Sequence, residues 1–205
     1  MEVFNKILEI FLLGVIGGAV PGPMLTAVFT EVLSGGFVKS LRVVGRALFA
    51  ETVVALVVLL AIFALDIPQL YFYILSILGS GYLIYLASKV WKINKIDNSN
   101  GEIFTLAKIF MLTILNGGFW IFWLTVCVPR AFSLDELIFG GRFIFLLVFE
   151  LGWLLMTAGL GYIFSRFRPI LLKQNLVATV FKIFATLLVL FALRSVYDSI
   201  IFIIN

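Results

Sequence analysis

The chain of 205 residues is 63% hydrophobic and 13% charged, with a mean hydropathy of +1.19. A water-soluble domain needs far more polar surface, so this composition excludes that class and points to an integral membrane protein with room for about six spans. The net charge of +4 comes from basic residues scattered over short segments, which sets orientation in a membrane and argues against a nucleic-acid partner.

The first apolar stretch runs from about Ile7 to Leu33 and is broken near its middle by Pro21-Gly22-Pro23. Proline removes a backbone donor and clashes with the preceding turn, so such a break leaves polar backbone groups without partners in hydrocarbon. It survives only where protein or a cavity surrounds it, which marks the triplet as a candidate site. The N-terminal segment lacks the basic region and small-residue cleavage site of a signal peptide, so it is expected to remain as the first span. A loop at Ser34-Gly35-Gly36 leads past Lys39 and Arg42 to a second span over 44–65, and Asp66-Ile67-Pro68 makes a turn. The third span covers 69–91, with Tyr71, Phe72 and Tyr73 at one end and Trp91 at the other, as rings favour the membrane interface.

Residues 93–103 form the most polar stretch and divide the chain into 1–92 and 104–205. The fourth span is expected over 106–128, ending at Pro129-Arg130, and contains Asn116-Gly117-Gly118. The fifth covers 139–164, followed by a basic loop with Arg166, Arg168, Pro169 and Lys173, and the sixth covers 177–203. Basic residues concentrate in the first, third and fifth loops, which places those loops in the cytoplasm and both termini outside. Six spans in two halves enter the bilayer from opposite sides. The expected fold is therefore all-α, six transmembrane helices as two inverted three-helix repeats, with the first helix of each half interrupted. Paired interruptions are the sequence pointer to a transporter's binding site, although the glycines of the second alone also suit close helix packing.

Pro21-Gly22-Pro23, the segment from Ser34-Gly35-Gly36 to Gly45, the run from Leu78 to Leu86 and Leu115-Asn116 together resemble the lysine exporter (LysE/RhtB) superfamily of amino-acid efflux proteins. The resemblance covers nearly the whole chain. It implies about six helices in two related halves, and export of amino acids, other small solutes or cations driven by an ion gradient. Two departures leave the substrate open: Met24 stands where an acidic or amide residue commonly follows the family's Pro-Gly-Pro, and Gly117 replaces the proline of Asn-Pro.

Carboxyls inside spans supply the side-chain chemistry. Glu150 lies mid-span among apolar neighbours, where an acidic residue costs roughly 2.5–3.5 kcal/mol on insertion scales, and it reads as a proton-coupling group or cation ligand. A structural partner such as Asn116 is the plainer role. Glu51 either joins it or pairs with Arg42 or Arg46, and Glu31 either replaces the acid missing after the triplet or sits solvated at the interface. Asn116 and Trp120 share a helix face that could line a substrate path, while Thr26 and Thr30 are expected to bond carbonyls of their own helix.

Lone Cys127 reads as an apolar filler and rules out an intrachain disulfide; without histidine, a zinc-type centre has no ligand set. No phosphate-binding loop or nucleophile elbow occurs, so neither ATP hydrolysis of that kind nor an enzyme is expected, and no cofactor is called for. The expected activity is secondary export of a small solute, an amino acid in first place, across the cytoplasmic membrane and coupled to a proton or cation gradient. The expected partners are that solute and the lipid bilayer, with a homodimer left open. Cation or heavy-metal export on the same fold is the alternative, and an intramembrane enzyme ranks below it.

Overall fold

A computed structural model describes residues 2–20, 22–62, 69–92, 104–173 and 176–204, and every regular element among the described residues is helical. Helix α1 (Glu2–Ala19) and helix α2 (Pro23–Gly35) are bent by 61° at the break between them. Gly22 is extended there (φ −154°, ψ −176°), and Pro23 opens α2 at a position where its missing N–H costs nothing. Gly36 (φ 81°) turns the chain sharply into α3 (Phe37–Val57), which runs on through one π-helical turn, Val58–Ile62. Helix α4 covers Gln69–Trp91.

The second half opens with α5 (Leu106–Ile114), a bend of 62°, and then α6 (Gly117–Phe122), a π-helical turn (Trp123–Cys127) and α7 (Val128–Asp135) in sequence. Gly140 (φ 74°) turns the chain into α8 (Gly141–Lys173), and α9 covers Val177–Ile204. Both corners need the left-handed backbone that glycine adopts without strain. Among the described residues three helices are long and apolar enough to cross a membrane, and up to five spans result if each bent pair counts as one.

Several expected boundaries move. The loop at 34–36 contracts to the single corner at Gly36, and the basic residues Lys39, Arg42 and Arg46 are already helical. The fourth span does not stop at Pro129-Arg130, because Pro129 falls in the first turn of α7, where helices tolerate it. The basic stretch 166–173 is the last part of α8, which continues through Pro169. The expected turn at 66–68 and the divider at 93–103 lie outside the described residues.

The two most extensive packings join distant parts of the chain, α1 on α8 and α4 on α9. Any side chain at Gly14 would run into the carbonyl of Phe149, and one at Gly152 into the carbonyl of Phe11, so glycine on both helices brings the α1 and α8 backbones together. Helix α5 packs on α3, α2 on α3, and α7 on α8, while α3 meets α8 in the middle of the bundle. The apolar interior forms two bodies. One gathers Val28, Leu33, Val43, Phe104 and Phe181; the other gathers Val54, Val58, Trp123, Phe145 and Phe149. On the outside, Phe4, Leu8, Leu12, Ile16 and Val20 make one exposed apolar stripe along α1, as suits hydrocarbon rather than water.

Candidate functional site

The two breaks are built differently. At the second, the side-chain oxygen of Asn116 accepts the Phe119 N–H at 3.3 Å, and the Trp120 indole N–H donates to the Ile114 carbonyl at 2.7 Å. The polar groups freed by this bend are therefore taken up by side chains of the same segment. At the first break no side chain caps α2, and Gly22 and Pro23 have none to offer. The opening N–H groups of a helix find no acceptor within it, so the start of α2 carries the positive end of that helix's dipole at the bend. Met24, in its first turn, packs against the core. Pro21 lies outside the described residues.

Between the two apolar bodies, α3 and α8 meet at a polar contact. The Thr52 hydroxyl lies 2.5 Å from Glu150 Oε1 and 2.7 Å from the Leu48 carbonyl one turn back on its own helix. A hydroxyl has one proton to give, and a carboxylate has none. Both contacts are satisfied together when a protonated Glu150 donates to Thr52 and Thr52 donates to Leu48. Glu51 immediately precedes Thr52 on α3, so a second carboxyl lies within one residue of this contact. Asn116 is not the partner of Glu150 here; its side-chain oxygen serves its own helix. Thr52 escaped sequence reading because it meets Glu150 98 positions away, and nothing local in the sequence announces the pairing.

Glu31 corrects its expectation. It is 1% exposed, so it is not a solvated interface residue. Its carboxylate accepts from the Phe104 N–H at 3.2 Å and the Ser34 hydroxyl at 3.1 Å, and it pairs with Lys39 at 3.6 Å. Arg46 donates to the Phe104 carbonyl at 3.0 Å, so the backbone entering α5 is gripped from both sides. Thr30 corrects another: its buried hydroxyl has no hydrogen-bond partner. Trp120 is buried and Cys127 is a buried free thiol. Among the described residues no three His, Cys, Asp or Glu side chains converge as metal ligands do.

No family model, curated protein or solved structure matches this chain.

Proposed function

We propose that this chain is a secondary transporter of the lysine exporter kind, moving an amino acid out of the cytoplasm through the middle of a six-span bundle. The observation that carries the reading is Glu150 meeting Thr52 where α3 crosses α8, beside Glu51 and between two bent spans. A mid-span carboxyl is costly in hydrocarbon unless it faces the interior, and such residues mark ion and proton paths. A broken helix on each side of such a group is the arrangement transporters use to present half-helix ends to a solute. Under this reading α4 is the remaining span, the two bent pairs are the first helices of inverted repeats, and the uncapped start of α2 receives the substrate carboxylate.

Orientation follows the basic residues. Lys39, Arg46 and Arg168 gather at one end of the bundle, and that end faces the cytoplasm. Stacking of Tyr73, near the start of α4, on Phe202, near the end of α9, supports reading the last helix's end as lying at the opposite face. Glu150 and Glu51 then exchange a proton, or hold a cation, as the path opens to each side.

Proteoliposome counterflow with a panel of labelled amino acids tests the substrate class, and flux of metal ions alone would assign cation export instead. Glu150→Gln, with folded protein retained, is expected to abolish efflux driven by an imposed pH gradient. Full gradient-driven efflux by that variant would remove Glu150 from coupling.

A further inference from the structure

Sorted by what ties them together, the helices fall into two triads that cut across the sequence halves. In the first triad, α1 lies against α8 through Gly14 and Gly152, and α7 folds back onto α8 at the Gly140 corner. Polar bonds fasten it: Arg142 donates to Asp135 at 2.7 Å, Lys6 to Ser133 at 2.8 Å, and Arg130 to Glu9 at 3.2 Å. In the second triad, α5 lies against α3 and α2 folds back onto α3 at the Gly36 corner. Here Glu31 pairs with Lys39 at 3.6 Å, while Glu31 and Arg46 hold the two polar backbone groups of Phe104. The match is element for element, even to an acidic residue five positions before each corner glycine and a basic partner just after it.

Each broken span is shared between the triads. Helix α1 belongs to the first and α2 to the second; α5 belongs to the second and α7 to the first, with α6 between them lying against α4. The breaks at 20–22 and 115–116 are therefore where the chain crosses over. The α4·α9 pair stands against both: a side chain at Gly79 would strike the Leu115 carbonyl, and the Phe191 ring tip lies 4.0 Å from the place a Gly22 side chain would take. Across the seam between the triads the contacts are of another kind. Towards the Arg168 end, Phe29 stacks on Phe164 at 4.4 Å, and Arg168 donates to the Leu33 carbonyl at 3.0 Å, capping the negative end of α2. Towards the other end, the seam is the apolar packing of Val54 and Val58 with Phe145 and Trp123.

We propose that these two mixed triads, and not the two sequence halves, are the moving bodies of this protein. They rock on the α3·α8 seam and flex at the two breaks, with the Arg168–Leu33 bond and the Phe29–Phe164 stack as the latch at one end. Moving helices within the second triad would strand the buried Glu31 and the backbone groups of Phe104, whereas the seam is mostly apolar packing crossed by the polar bonds Thr52–Glu150 and Arg168–Leu33. At the second break, side-chain bonds of Asn116 and Trp120 stand in for part of the helical ladder, so less of the ladder is lost on bending there. The idea deepens the transport reading, but its geometry stands apart from any substrate.

Spin-label pairs in Cys127→Ala protein in lipid nanodiscs test this without flux. Val38→Cys with Phe167→Cys spans the seam at the latch end, and Leu12→Cys with Leu147→Cys lies within the first triad; all four positions are exposed. Arg168→Ala, or Phe164→Ala where the arginine variant does not fold, is expected to raise the population of a longer 38–167 distance about tenfold, while the 12–147 distance keeps one narrow peak. An unchanged 38–167 distance, or equal broadening of both pairs, overturns the proposal. Movement of the seam in protein that counterflows no solute would instead sink the transport reading and leave the triads standing.

Discussion

At the residue level, the decisive contact is a threonine with two neighbours and one proton. Thr52 is the least conspicuous group in the site, yet it determines what Glu150 can do, because a neutral carboxyl can donate to it and an ionised one competes with the Leu48 carbonyl for its hydrogen. Replacing Thr52 by valine keeps the shape and removes the bond. Gradient-driven efflux is expected to fall about tenfold, the equivalent of one hydrogen bond to an ionisable group, and Thr52→Ser is expected to restore it. Counterflow, which needs no net proton movement, is expected to change far less in both variants. Equal loss in the two assays would make Thr52 a packing residue. The mid-span Glu150 was legible in the sequence because a carboxyl among phenylalanines and leucines is costly and therefore conspicuous. Its partner was not legible, since a threonine one position from Glu51 has no periodic or compositional mark. Glu31 misled for a related reason: its position near the end of an apolar stretch suited solvent, while its burial depends on Phe104, 73 positions away.

Among the elements, the helices that ended as the sequence indicated are those bounded by strong local signals. The break at Gly22-Pro23 and the limits of α4 and α9 fall at their expected positions. The limits that moved are those where charge was taken for a loop. Residues 37–43 and 166–173 carry basic side chains and remain helical, because a helix satisfies its own backbone, and Lys39 and Arg168 find partners in Glu31 and the Leu33 carbonyl. The α1·α8 contact is an exacting packing, since backbone meets backbone there. Gly14→Leu is expected to cost more than about 2 kcal/mol and to lower the thermal midpoint in detergent by at least about 4 °C. Gly159→Ala on the same α8 has open space for its methyl and is expected to leave the midpoint level or slightly higher. Equal effects from the two substitutions would mean that α1 does not rest on α8 in the membrane.

Over the whole molecule, the sequence pointed to a division into 1–92 and 104–205 but could not reveal that α1 packs on α8 and α5 on α3. A divider rich in Asn and Ser and two interrupted stretches are local signals; which half-helix lies beside which long helix is decided by glycines and ion pairs more than 100 positions apart. A chain cut within 93–103 is therefore expected to be stable in cells only when both pieces are present. Residues 1–98 and 99–205 expressed together should assemble and copurify, whereas either piece alone should be cleared by membrane proteases. Stable accumulation of the first piece by itself would contradict the shared architecture.

The glycine face of α1 also has a consequence for biosynthesis. Gly14 leaves the ribosome about 130 residues before Phe149 does, roughly 7–26 s at ordinary rates of synthesis. Throughout that interval α1 has a bare groove and no companion to fill it. Quality-control factors that survey exposed small-residue grooves would meet one on α1, and the synthesis of α8 is the moment at which that exposure ends.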